Sequence, residues 1–359
     1  MPPPPAKWRG RCDFNGKQTC NNKLLGARSF LGAGDTPVEK DLHGSHTASE
    51  AAGSPVEGAN VFGQANGTAM GIAPKAHLAM YKVDETDSSV LAAIDAAIED
   101  GVDVLSISMD IIGPGVNILA AWGVSIDNAT TPFSVESGTS MSCPHLSGVA
   151  ALIKSAHPRW SPAAIRSAIL TTAYTFDLSG HPISNVFDMG SGHVNPSKAL
   201  NPGLVYDIEP DDYIPYLCGL GYSDKQVRMI VQRKVNCSSP GSSIPEAQLN
   251  YPTFSISLAR GENQTYTRTV TNVGQPNSTY YGKVRSLEGA GVAVTIVPSE
   301  IKFKEVNEKA SYSVTFTRLD NVARSSDVGQ GSLVWSSLAA VADGDDRYEV
   351  VSTIAVNFV

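Results

Sequence analysis

Hydrophobic periodicity changes once along this 359-residue chain, and that change bounds the architectures open to it. Up to about residue 170, apolar residues recur at helical spacing or gather in short buried runs. From about Leu249 onward they alternate with polar ones. A period near 3.6 buries one stripe of a helix, whereas a period of 2 buries one face of a strand. The front of the chain therefore calls for helices layered on a sheet, and the back for stacked antiparallel strands.

In the front part, residues 76–83 form an apolar run suited to a buried parallel strand. Residues 89–99 follow with Val90, Leu91, Ile94, Ala97 and Ile98 at helical spacing, and Gly101 closes the helix. Residues 102–108 read as the next strand, which completes a strand–helix–strand unit with a right-handed crossover. Residues 1–37 carry Pro and Gly with little periodicity and read as a loop-rich surface strip; residues 58–71 read as a turn-rich connection. Ser161-Pro162 is a cap-plus-proline start for a helix whose inner face is Ile165, Ile169 and Leu170. Glycines 190 and 192 serve a tight turn, and His193 beside them reads as structural. A polar connector over 208–245 holds a short helical stretch near 223–232. In the back, Tyr312, Val314 and Phe316 alternate, and residues 350–358 are strongly β-prone. Turns at Gly274-Gln275-Pro276-Asn277 and Gly329-Gln330-Gly331 separate runs of this type, the pattern of a sandwich.

Composition narrows the function classes. With 42% hydrophobic and 17% charged residues, this is a globular chain long enough for two cores. Its net charge is −8 and it carries no basic stripe, which argues against nucleic-acid binding. No apolar run reaches the length of a membrane span, and the opening Met1 to Pro5 has no signal-peptide core. Of the 5 cysteines, Cys12 and Cys20, and Cys218 and Cys237, are near enough to close small loops, leaving Cys143 over. Sequons at Asn66, Asn128, Asn236, Asn263 and Asn277 agree with an oxidising, secretory origin; unpaired thiols would instead fit a reducing compartment.

Two stretches carry chemistry. Ser137 to His145 precedes the helical face Leu146, Val149, Ala150 and Ile153, with Gly148 and other small residues allowing close packing. Gly138 permits a tight turn, and Thr139 or Ser140 can cap the first helical turn. A hydroxyl there lies among unpaired N–H groups at the positive end of the helix dipole. That setting suits a nucleophile whose attack creates an oxyanion; the ordinary alternative is a capping serine. The second stretch, Asp41-Leu42-His43-Gly44-Ser45-His46-Thr47-Ala48-Ser49, runs into a short small-residue helix closed by Gly53. Its two histidines stand three apart, with no third ligand at a spacing typical of a metal site.

Residues 138–145, Gly-Thr-Ser-Met-Ser-Cys-Pro-His, resemble the nucleophile motif of subtilisin-like serine proteases, most closely the plant subtilases. The resemblance implies that Ser140 is the catalytic serine. The stretch around His43 is similar to the family's histidine motif, which implies His43 as general base. It departs at Leu42, where the family has Gly, and at Ser45, where it has Thr. Trp8, Gly10, Cys12 and Cys20-Asn21-Asn22-Lys23-Leu24 resemble the segment after the family's catalytic-aspartate strand, so Met1 would stand where relatives have interior sequence. Residues 187–207 also resemble plant subtilases, and the final part resembles their fibronectin type III-like domain. The implied fold is α/β, a partial subtilisin-like parallel sheet with helices on both faces, followed by an all-β fibronectin type III-like sandwich. The implied boundaries are a surface segment at 1–37, a partial catalytic domain at 38–207, a connector at 208–245 and the sandwich at 246–359. Protein or peptide substrates, no cofactor, no metal and an extracellular location (apoplast or cell wall) follow from the same resemblance.

One discontinuity interrupts it. Ser106-Ile107-Ser108-Met109 resembles one part of the family and residues 110–119 a part far downstream. Between them plant subtilases carry cleft strands, the oxyanion-hole asparagine and an inserted domain. No aspartate motif precedes His43 either: Asp35 and Asp41 are upstream, but neither ends an apolar strand. In subtilisin, loss of the aspartate costs about 3 × 10⁴ in turnover. Loss of the oxyanion asparagine there costs roughly 10²–10³. The expectation is a serine endopeptidase by family with little or no activity of its own; the alternative is an inactive remnant whose sandwich binds proteins.

Overall fold

A computed structural model of the protein describes residues 1–15, 18–32, 34–39, 42–84, 86–106, 112–123, 132–174, 186–285, 287, 291–319, 328–337 and 348–359. The chain divides into two compact units, one of residues 1–109 with 113–156 and one of 110–112 with 157–359. Asp41, Asn128 and the junction at residues 107–111 lie outside the described residues.

In the first unit, strand β1 (Leu24–Ser29) and helix α1 (His43–Ala52) come first, followed by strands β2 (Val56–Val61), β3 (Gln64–Ala69) and β4 (Leu78–Lys82). Helix α2 (Asp87–Asp100), strands β5 (Ile118–Ala121) and β6 (Phe133–Glu136), and helix α3 (Thr139–Ala156) complete it. β1 and β4 pair in parallel, with Ala27 opposite Met80. The strip expected to be loops thus contributes a strand. Its Gly-Ala pair at 26–27 is buried, which hides the alternation that would have marked it. Residues 58–71 also differ from expectation, because they form the β2–β3 hairpin. Phe62 (φ 50°) and Gly63 (φ 74°) are both left-handed, as a two-residue turn matched to strand twist requires.

Helix α2 forms where its spacing predicts and ends on Gly101, but the face it buries is rotated from the expected one and shares only Ala97 with it. Ala93, Ala96, Ala97 and Asp100 are buried, while Leu91 is 61% and Ile98 64% exposed. Asp100 explains the orientation. Its carboxylate accepts from Arg28 at 3.1 Å and from the Tyr81 hydroxyl at 2.8 Å, clamping the helix end to β1 and β4. Burial and that hydrogen bond push the Tyr81 phenol well above its ordinary pKa. The run at 102–106 is not a strand, so among the described residues no third sheet neighbour covers the apolar stripe.

The second unit opens with helix α4 (Pro162–Thr171) and short helices α5 (Val186–Met189) and α6 (Pro196–Ala199), then strand β7 (Leu204–Val205). The Ser161 hydroxyl caps α4 by accepting from the Ala164 N–H at 2.9 Å, and Ile165, Ile169 and Leu170 are buried, as expected. The connector holds helices α7 (Tyr213–Gly219) and α8 (Asp224–Val231), and the Cys218–Cys237 disulfide ties α7 to the turn that follows α8. Cys12 and Cys20 are bonded too, with Cα atoms 6.0 Å apart, and Cys143 is free.

The strands that follow are β8 (Phe254–Leu258), β9 (Asn263–Asn272), β10 (Ser278–Arg285), β11 (Val292–Val297), β12 (Glu300–Phe303), β13 (Lys309–Arg318), β14 (Val328–Ser337) and β15 (Glu349–Phe358). They form two sheets, ordered β12-β10-β14-β15-β8 and β11-β13-β9-β7. The alternating side chains Tyr312, Val314 and Phe316 face inward and share one core with Trp335, Val350, Ile354 and Val356. Residues 274–277 turn as expected between β9 and β10, but Gly329-Gln330-Gly331 lies inside β14. Gly331 pairs with Ile354, and a Cβ there would meet Leu287 Cγ at 2.6 Å. That glycine permits a close approach within a strand rather than a turn.

Candidate active site

Helix α3 is started by the β5–β6 hairpin, which pairs Ile118 with Glu136 and delivers the chain to Gly138. Gly138 has φ 155°, which only glycine adopts easily, and its N–H donates to the Gly115 carbonyl at 2.7 Å. The Asn117 N–H donates to Ser137 Oγ at 2.8 Å, and the Gly113 N–H to Ser142 Oγ at 2.9 Å. Residues 113–117 thus buttress the helix start from two sides. Thr139 and Ser140 are the first two helical residues rather than caps, and Ser140 is exposed. Pro144 cannot donate back to the Ser140 carbonyl, yet it sits only five residues into the helix and is buried. Leu146, Val149, Ala150 and Ile153 are buried on the expected face.

Helix α1 is set by groups that residue spacing did not point to. The Lys82 ammonium, at the end of β4, donates to the carbonyls of Thr36 and Val38 at 3.0 and 3.1 Å and lies 3.0 Å from the Asp35 carboxylate. Asp35 also accepts from the Ser29 hydroxyl at 2.6 Å; that bond and the Lys82 contact hold its carboxyl below the usual pKa. This aspartate is therefore engaged in anchoring the approach to α1. Glu39 caps the helix: its carboxylate accepts from the N–H of Gly44, and from the Ser45 N–H at 2.8 Å and hydroxyl at 3.0 Å. Leu42 takes the left-handed conformation (φ 66°), where its Cβ is crowded. The departure from glycine at this position thus coincides with a backbone geometry suited to glycine. His43 follows as the first residue of α1, and its side chain is exposed.

α1 and α3 pack on each other through a buried polar cluster and a glycine. A Cβ on Gly148 would stand 2.6 Å from Ile72 Cβ and 3.0 Å from the Ala51 carbonyl, so only glycine lets the helices approach this closely. His46 is fully buried, with Nδ1 2.5 Å from Glu50 Oε1 one helical turn on. Glu50 Oε2 lies 3.3 Å from His145 Nδ1 on α3, which also faces the Met141 carbonyl at 2.8 Å. Burial lowers the His145 pKa, but the Glu50 carboxylate and the Met141 carbonyl outweigh it and leave the value raised. The signal for this cluster stood in the sequence as His-x-x-x-Glu, a spacing that puts both side chains on one helix face.

Elsewhere in the second unit, His193 bridges by backbone to Tyr174 and Ile112, and its Nδ1 lies 3.1 Å from the Val194 carbonyl, in a structural setting.

Comparison with known proteins agrees with this anatomy. The subtilase family model matches residues 24–110 and 106–197, two pieces that meet at the discontinuity, and a fibronectin type-III domain model matches 248–356. Subtilisin-like protease SBT4.10 of Arabidopsis thaliana is 30% identical over 500 aligned residues, taking in 89% of this chain and 71% of that protein. SBT1.7 of the same plant is 43% identical over 286 residues, 76% of this chain and 36% of that protein. SBT4.7 is 29% identical over 563 residues, covering 99% of this chain and 78% of the relative, so its aligned span holds many residues with no counterpart here. Against SBT1.7 and SBT1.5 the chain spans about a third of the relative's length, 36% and 32%.

Proposed function

Since this chain belongs to the subtilase family, we propose that its chemistry is serine-type hydrolysis of protein or peptide substrates, with Ser140 as nucleophile and His43 as general base. In that reaction the Ser140 hydroxyl gives its proton to His43 as it attacks the peptide carbonyl. The tetrahedral oxyanion forms among the opening amides of α3, and collapse releases the amine and leaves an acyl-enzyme that water hydrolyses. The observation that carries this reading is the packing of α1 on α3. Glu50 meets His145 between them; Ser140 and His43 lie one to two helical turns before those two residues, each exposed in the first turn of its helix.

A second reading, an inactive subtilase whose sandwich serves as a protein-binding module, is favoured by the carboxylates. Asp35 is committed to Ser29 and Lys82, and Glu39 to the α1 amides. Active-site-directed fluorophosphonate labelling separates the two. Labelling of the full chain that disappears in Ser140→Ala supports the peptidase. Equal background in both proteins, with no cleavage of a denatured protein substrate, supports the inactive reading. An extracellular, glycosylated protein is part of the proposal; it is supported by the two disulfides and by the exposed sequon residues Asn66, Asn236, Asn263 and Asn277. The domain limits proposed are those implied by the resemblance, with the catalytic part at 38–207 and the sandwich at 246–359.

A further inference from the structure

We propose that Glu50 is a pH-gated clasp: its buried carboxylate, bonded to His46 on α1 and facing His145 on α3, holds the two helices together while a proton resides on His145. The geometry carries this. Glu50 Oε1 lies 2.5 Å from His46 Nδ1, while Oε2 stands at ion-pair distance, 3.3 Å, from His145 Nδ1 and is buried without a hydrogen bond among the described residues. Glu50 and His46 are almost completely buried, and His145 is mostly so. An ionised carboxylate in such a place needs a cation, because burial removes the water that would otherwise solvate its charge. Among the described residues, no lysine or arginine forms an ion pair with Glu50. The segment at Ile72 and Ala73 approaches α1 through backbone N–H groups to the Glu50 and Ala51 carbonyls. From the β5 side come Trp122, whose ring meets His46 edge-on, and the Ala121 N–H, which donates to Ser49. On α1 the remaining titratable groups are His43 in its first turn and Glu39 at its cap; on α3 they are the free thiol Cys143 and Lys154 in the last turn. His145 is thus the group that can present a cation to Glu50 from the facing helix.

Deprotonation breaks the arrangement. Once the His145 proton leaves to solvent, the carboxylate loses the cation that faces it from α3, and Glu50 Oε2 and His46 Nε2 are both buried without a hydrogen bond among the described residues. The His145 pKa is raised in the folded chain, so the stabilisation is fully present below about pH 6.5 and is lost as pH rises through the folded value. This clasp is a property of the helix pair and does not depend on peptidase chemistry.

The test is a side-chain NMR titration of the histidines in the full chain, with His145→Asn to assign the resonance. The expected His145 midpoint lies above 6.5 and moves to 6.5 or below in Glu50→Gln. A midpoint at or below 6.5 in the unsubstituted chain, or one that Glu50→Gln leaves in place, overturns the clasp. Should Glu50→Gln not fold, urea unfolding of the first unit in the unsubstituted chain decides. Its midpoint falls between about pH 6 and 9 if the clasp operates, and a flat or rising profile refutes it.

Discussion

The two units of this chain obey the same patterning rules with opposite results. In the sandwich, the inward residues of the two sheets share one core. β14 is paired on both sides, with β10 and β15, and its Trp335 is fully buried with its ring 4.9 Å from that of Tyr312. Inside it the Tyr206 hydroxyl sits 2.6 Å from that of Tyr312 and 2.9 Å from Ser352 Oγ, while Ser278 Oγ, the Tyr280 hydroxyl and Trp335 Nε1 are buried without a hydrogen bond among the described residues. In the first unit, α2 has an equally clear apolar stripe, yet Leu91 and Ile98 face solvent and the described parallel sheet is the β1–β4 pair. Periodicity states which face wants burial; a second layer decides whether it is buried.

The largest effect that would sharpen this contrast is expected at Trp335. Trp335→Ala removes a fully buried ring from a close-packed core, at a cost of about 3–5 kcal/mol to the sandwich. Calorimetry should show the sandwich transition drop while that of the first unit stays. Coupled loss of both transitions would mean the units do not differ in the way described. Gly148→Ala comes next. Its new Cβ would press on Ile72 at 2.6 Å and separate α1 from α3, at about 1–3 kcal/mol, read as a lower urea midpoint of the first unit alone. Leu42→Gly has the opposite sign. Relief of the left-handed leucine should stabilise the first unit by roughly 1 kcal/mol, or about 2–4 °C in its melting temperature. No change there would mean that the backbone at Leu42 is not strained.

Residues whose role depends on near neighbours in sequence were the legible ones. The Ser161 cap, the α3 face from Leu146 to Ile153, the Tyr312–Val314–Phe316 row and both disulfide loops all followed from spacing. What stayed hidden depends on contacts far apart in the chain. Arg268 lies in the inward row of β9, a position that pattern alone assigns to an apolar residue. It is fully buried because its guanidinium reaches the carbonyls of Tyr251, Ala247 and Thr267 and lies 4.3 Å over the Phe254 ring. Lys82 anchoring the approach to α1 across more than forty residues is a second case. In the candidate site, Ser140 and His43 were legible as motif positions. The Glu39 cap, the left-handed Leu42 and the shared Glu50 were not, since each depends on where a backbone or a facing helix arrives.

The smallest thermodynamic effect is the most direct way to break the contrast. Leu91 and Ile98 lie seven residues apart, on one stripe of α2, and both are more than half exposed. Replacing them with Gln and Lys leaves helix propensity nearly unchanged and uncovers almost no buried area. Leu91→Gln with Ile98→Lys should therefore alter the unfolding free energy of the first unit by less than about 0.5 kcal/mol. Because an uncovered apolar stripe drives association, the same pair of changes should lower binding of a hydrophobic dye and raise the concentration at which the protein self-associates. A loss of 2 kcal/mol or more, on the order of what full burial of one such side chain is worth, would mean this face is covered in solution. The first unit would then hold a second layer after all, and its difference from the sandwich would lie in what supplies that layer.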